Sequence, residues 1–247
     1  MNHAMIPEHE TFENAPIEEA VIDLHVRRDG GGVDAALKAF VDTLGPEYPT
    51  AQSRVELSIV IGPDGQPSAT PSAPGWLLRS QDNRWVVLPR TGAMGVSHLR
   101  PYTSWATLEG KTRKTWDAYV TATAPAGVTR IATRFINRIV LPAGPLRMED
   151  WFATGLRVGP DIPGEVGDLM IQATLVAGDG ATAAIVIKKE PLDPLGRTPV
   201  FFDIDAALVG SFAPDDPAIW TRLQALRDLK NAIFFRSLTD RTKELFR

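Results

Sequence analysis

The chain contains no cysteine. That absence excludes disulfide scaffolding, thiol nucleophiles and any metal site built on thiolates, and it leans the redox compartment toward a reducing one. Histidine is scarce too, with His3, His9, His25 and His98 the only four. None stands at a metal-ligand spacing, so a metal site is not expected. His25 and His98 fall in strand-like stretches and read as structural rather than acid–base groups. No apolar run approaches the roughly 20 residues of a bilayer-spanning helix, and Met1 to Glu10 lacks the apolar core of a secretory signal. The expectation is a cytoplasmic protein with no membrane partner. A Gly-x-Ser-x-Gly elbow, a P-loop and a zinc motif are all missing, so no cofactor is implied. An excess of positive charge is missing as well. The 26 Lys+Arg against 30 Asp+Glu leave a net charge of −4, which disfavours a nucleic-acid partner.

What is present is an ordinary globular composition, 44% hydrophobic and 23% charged, and one unusual stretch. Val128 to Leu141 is rich in β-branched residues and bounded by Pro125-Ala-Gly127 and Pro142-Ala-Gly144, which reads as a strand with punctuated ends. Side chains alternate along a strand, so Arg130, Arg134 and Arg138 share one face with Ala132 and Ile136 between them. Ile131, Thr133, Phe135, Asn137 and Ile139 share the other. Arginine is rarely buried unless paired, so the row calls for negative charge beside it.

Around this strand the pattern alternates sheet and helix. Val21 to Val26 reads as a strand with Val21, Asp23 and His25 on one side. A glycine-rich loop, Arg27 to Gly32, follows; it lacks the Walker lysine and reads as a flexible connection. Asp34 is placed to cap a helix that runs to Leu44. Arg54 to Ile61 is a strand ended by the turn Gly62-Pro-Asp-Gly65, and Gln66 to Gly75, with three prolines, reads as a loop. A hairpin forms around Gln81-Asp-Asn83, Ala93 to Leu99 is a strand, and a helix spans 105–123 with Trp105, Leu108, Thr112, Trp116, Tyr119 and Val120 on its apolar stripe. In the second half, Leu169 to Ala177 and Ala183 to Lys189 form a hairpin over Gly178-Asp-Gly180. Pro199 to Val209 is a strand. Asp216 caps a helix with Pro217 at its first position and Ile219, Leu223, Leu226, Leu229, Ile233 and Phe234 along it. Thr239 to Phe246 is a short terminal helix. The fold class is α+β: two antiparallel-sheet halves, residues 1–143 and 144–247, each with a long helix packed across its sheet. Phe135 is expected beneath the helix that bears Trp116.

Three segments carry a resemblance: Asn14-Ala-Pro-Ile-Glu-Glu-Ala20, Arg134-Phe-Ile-Asn-Arg-Ile139, and Leu229 to Phe246 with its Phe-Arg-Ser-Leu-Thr-Asp core. In order and spacing they resemble a sporadically distributed bacterial family of uncharacterised proteins of about this length. The resemblance implies a bacterial origin and a shared fold, and it brings no activity and no catalytic residues.

Two constellations are candidates for ligand binding. The first is Arg130, Arg134 and Arg138, with Arg134 and Arg138 about 13 Å apart along the strand and Arg130 extending the row. It suits an anion or carboxylate, and cross-strand pairing to Asp203 and Asp205 is the plainer account. The second is Arg100, Tyr102 and Trp105, at a strand-to-helix turn. The aromatic pair suits a ligand, and a staple holding helix to sheet with Ser104 or Thr103 as cap is the plainer account. The composite expectation is a cytoplasmic binding or accessory protein for a protein partner or an anionic small molecule, with homo-oligomerisation left open. The balance falls against an enzyme. The alternative is an enzyme acting on an anionic small molecule in a pocket between sheet and long helix, using Arg134, Arg138 and Tyr102.

Overall fold

The computed structural model describes residues 11–30, 33–61, 67–144, 146–155 and 166–247, with side chains except at 33–34, 55–61 and 67–74. Gly31 and Gly32 of the glycine-rich loop, the capping role of Asp34 and the turn Gly62-Pro-Asp-Gly65 lie outside what is described. In chain order the elements are β1 (Ile17–Arg27), α1 (Val33–Leu44), β2 (Thr50–Ile61), β3 (Pro67–Arg79), β4 (Trp85–Arg90), β5 (Ala93–Leu99), α2 (Trp105–Thr123), β6 (Gly127–Leu141), β7 (Met170–Val176), β8 (Thr182–Lys189), β9 (Thr198–Phe212), α3 (Ala218–Ser237) and α4 (Asp240–Lys243).

The strands form a sheet in the order β2-β3-β4-β5-β1-β6-β9-β8-β7. The outer pairings, β2 through β5 and β7 through β9, are antiparallel. The central ones run the same way. The Val26 N–H donates to the Gly92 carbonyl, Arg138 N–H to Pro16 and Ala126 N–H to Arg27, and the Asn137 amide reaches the Phe202 carbonyl. The fold is α+β and weighted toward sheet.

Two compact units share these strands. One comprises Met1–Ala20, Ala132–Leu208 and Trp220–Arg247; the other comprises Val21–Ile131 and Val209–Ile219. The strands β1, β6 and β9 contribute residues to both, and the 143/144 position lies inside the first unit.

The second unit holds α1 and α2. Ser104 caps α2 by accepting the Thr107 N–H, and Ala124, at φ 40°, closes it with an N–H to the Val120 carbonyl. The buried stripe is Trp105, Leu108, Thr112, Thr115, Trp116, Tyr119 and Thr123. Its three threonines donate their hydroxyls to carbonyls four residues back, at 2.8, 2.9 and 2.7 Å, so burying them leaves no orphan donor. Tyr119 meets Phe40 of α1 edge-on at 5.5 Å, and Trp116 donates its indole N–H to the Pro214 carbonyl at 2.9 Å. Ile22 and Leu24 of β1 are fully buried in this unit.

In the first unit, α3 covers one face of the strands. Phe234 stacks on Phe202 at 5.8 Å, and Leu223 and Leu226 are buried with Ile185, Ile187 and Ile204. Asp216 accepts the Ala218 N–H at the start of α3. Phe135 meets α3, where Lys230 sits over its ring, rather than the helix bearing Trp116 as the sequence suggested.

Of the expected loop at Gln66 to Gly75, Gln66 lies outside the described residues, and from Pro67 onward the segment is instead part of β3, paired with β2. Proline has no N–H to give a ladder and is tolerated where one side of a strand is free. Pro67, Pro71 and Pro74 all precede Gly75, the first β3 residue paired with β4, so they need only one neighbour. β9 is also longer at both ends than the Pro199–Val209 stretch.

Candidate functional site

The β6 face alternates as the strand pattern demands. Ile131, Thr133, Phe135, Asn137 and Ile139 are buried, while Arg134 and Arg138 are exposed on the opposite side. Arg134 makes a two-pronged contact with Asp203 of β9, from Nε at 2.9 and 3.1 Å and from Nη2 at 2.7 Å. The hydrogen bonds to Asp203 hold the guanidinium charged even more firmly than usual, against the opposing effect of burial. The Asp203 side chain is only 9% exposed, whereas that of Arg134 is 46% exposed. The carboxylate is therefore the fixed anchor and the guanidinium the presented group. Arg138 donates from Nε to Glu190 at 2.9 Å and is 44% exposed. Val186 and Ala184 of β8 stand directly opposite Asp203 and Asp205, which puts these side chains on the same face. That face lies away from α3, whose residues pack on the Phe202 and Ile185 side.

In the other unit, Arg130 approaches Asp23 of β1 at 3.8 Å. Asp23 is a hub. His25 Nε2 lies 2.7 Å from its Oδ2, and the Arg90 guanidinium contacts its Oδ1. Space for this carboxylate comes from Gly95 of β5, where an added Cβ would stand 3.1 Å from Asp23 Oδ1. Here the sequence showed Asp23 and His25 on one side of a strand, but nothing local announced Arg90 or Gly95.

The turn after β5 carries Arg100, Tyr102 and Trp105. Arg100 is exposed, Tyr102 half-buried and Trp105 buried at the start of α2. Tyr102 lies 5.4 Å from His98, which stacks flat on Trp85 at 4.1 Å. His98 is buried, and burial pushes its pKa down, helped by the nearby Arg84 charge. Behind this stack the Lys111 ammonium pairs with Glu47 and lies 5.3 Å from the Tyr48 ring and 5.8 Å from that of Trp85. Burial pushes the Tyr48 hydroxyl well above its ordinary range. This is an aromatic cluster joining β4 and β5 to α2, with Ser104 as the cap of that helix.

Sequence reasoning missed Lys230. It sits on the buried side of α3 with Leu226, Ile233 and Ser237, only 7% exposed, and its Nζ lies 3.6 Å from the centre of the Phe135 ring. Burial pushes its pKa down to about 7, and Arg227 adds to the fall. The signal was available: the steps 219, 223, 226, 230, 233 and 237 trace one helical stripe, and a lysine interrupts it.

The same unit has a cavity of about 100 Å³ between the β7–β8 hairpin, Leu208 and the α3 residues Arg222 and Leu226. Among the described residues no three His, Asp or Glu side chains gather as a metal site would require, and no helix is long and apolar enough to cross a membrane. No family model matches the chain, and no curated protein matches it either.

Proposed function

We propose that this chain is a binding or accessory protein whose docking surface is the sheet face of the first unit opposite α3, and that its target presents negative charge, as an acidic patch on a protein partner or as an anionic small molecule. The supporting observation is the posture of Arg134 and Arg138. Each guanidinium is held by an acid of the same chain, yet each is nearly half exposed. An arginine already fixed in place loses little side-chain entropy when a second anion shares it. The cavity beneath the hairpin, at about 100 Å³, is below the roughly 300–1,000 Å³ of small-molecule sites. Arg130, Arg100, Tyr102 and Trp105 carry the reading less, since the first is drawn to Asp23 and the last two belong to the turn into α2.

Binding of a fluorescent polyglutamate peptide, followed by anisotropy at low and high salt, tests this reading. Arg138→Gln should weaken binding several-fold at low salt, with little difference at high salt, and the melting temperature should barely move. Equal binding by wild type and Arg138→Gln would overturn the reading.

One observation favours the enzyme alternative, a buried amine between sheet and long helix at Lys230. Loss of a turnover activity on Lys230→Arg, with the fold intact, would favour it. The two-halves plan is also retained as a proposal. Its support is that each unit carries antiparallel strands and one long helix, α2 in one and α3 in the other.

A further inference from the structure

β7 stands at the end of the strand order, and among the described residues no strand pairs with its outer edge. Its sequence, Met-Ile-Gln-Ala-Thr-Leu-Val, has no charge, no proline and no glycine. Edge strands ordinarily carry such residues to prevent association. Met170, Leu175 and Val176 are 64%, 47% and 75% exposed.

The hydrogen-bonding parity of the strand shows what the edge can accept. The Lys189 N–H donates to the Leu169 carbonyl, and the Ala177 N–H to the Ala181 carbonyl. With Met170 opposite Lys188 and Val176 opposite Thr182, the odd-numbered residues therefore face β8. The N–H and C=O groups of Met170, Gln172, Thr174 and Val176 point the other way, into the open edge.

The strand is also a chemical palindrome about Ala173. An antiparallel copy related by a twofold axis at Ala173 sets Met170 against Val176, Ile171 against Leu175, and Gln172 against Thr174, with Ala173 against itself. Apolar meets apolar and amide meets hydroxyl. In the same register the four outward-facing residues become the hydrogen-bonded pairs. Both conditions meet without a slip, and a strand from an unrelated protein would require neither.

We propose that β7 is the seam of a homodimer, in which two copies join edge to edge in this register. The interface is isologous, as a twofold requires. Because one strand edge is small beside standard interfaces, the dimer is expected to depend on concentration.

The cysteine-free chain makes the register directly testable. Ala173→Cys faces its own copy in a pair without hydrogen bonds, where Cα atoms lie about 4.5 Å apart, within disulfide reach. Mild oxidation with oxidised glutathione should give a covalent species of about twice 26.9 kDa. Met170→Cys should link at least tenfold less, because the two copies of residue 170 lie about 20 Å apart in this register. Sedimentation supplies the second arm. Ala173→Lys and Ala173→Asp should each be monomeric, and an equimolar mixture should form a heterodimer. A wild type that stays monomeric at high concentration, an Ala173→Cys that does not link, or a Met170→Cys that links equally well would each overturn the proposal.

Discussion

Replacing Lys230 by methionine should make the protein more stable, not less. The amine lies on the buried stripe of α3 at 7% exposure, and its pKa falls from 10.5 to about 7. At about 1.36 kcal/mol per pH unit, that fall corresponds to about 5 kcal/mol of cost for holding the charged form inside. The face of Phe135, 3.6 Å from Nζ, opposes the fall because an aromatic face attracts an ammonium. A desolvated contact of that kind returns at most about 2 kcal/mol, so burial prevails. The net penalty near neutral pH is then on the order of a few kcal/mol. Methionine has a similar reach and no charge, so Lys230→Met should recover most of it. The pH dependence carries the sharper test. The folded pKa lies below the unfolded one. At a pH under about 7 the amine is charged in both states, and the folded protein bears the full cost. Between about 7 and 10.5 the unfolded chain holds a proton that the folded one has lost, so stability rises with pH; above 10.5 it levels off. Urea titrations of both proteins at intervals from pH 6 to pH 10 should show the advantage of Lys230→Met greatest near pH 6 and shrinking toward the alkaline end. Parallel curves, or a Lys230→Met that is less stable than wild type by more than about 1 kcal/mol, would refute the burial argument.

The two β6 arginines should separate in stability. Arg134→Ala abandons the buried Asp203 carboxylate and should cost about 1–3 kcal/mol in urea unfolding, while Arg138→Ala, paired at the surface, should cost under about 1 kcal/mol. Gly95→Ala should push the Asp23 carboxylate off its Arg90 contact, lowering stability by about 1 kcal/mol, and Asp23→Asn should lose most of that sensitivity. His98 has a folded pKa below its ordinary 6.5, so its contribution is present above pH 6.5 and is lost as pH falls through the depressed value. Melting curves of His98→Phe should show a flatter acid limb than wild type.

Periodicity carried much of the architecture into view. The 105–123 helix was legible because Trp105, Leu108, Thr112, Trp116 and Tyr119 recur near a 3.6 period behind the Ser104 cap. The β6 faces were legible because a strand offers only two, and Phe135 and Arg134 cannot share one. Gln66 to Gly75 was not legible, since proline density signals a loop unless the neighbouring strand leaves one ladder side free, and that is a property of the sheet. That the arginine row would meet Asp203 or Asp205 was legible, because their alternation with Phe202 and Ile204 marks a strand face; that Asp203 is the partner of Arg134 was not. Glu190 and Asp23 were not, because pairing across distant strands depends on register. Lys230 was hidden by the convention that lysine lines the wet side of a helix. Its neighbours at 226 and 233 argued otherwise.

Because β1, β6 and β9 each begin in one compact unit and end in the other, neither unit is a continuous piece of chain. No single truncation can isolate either of them. A fragment ending near residue 143 would lack β9 and α3, which complete the core around Phe202. The pairings that close the sheet join residues far apart in sequence, such as Asn137 with Phe202 and Arg138 with Pro16. Contacts of such sequence separation slow folding in general, since loop closure precedes its reward. Library design and domain grafting face the same constraint, because a cut within β1, β6 or β9 takes residues from both units.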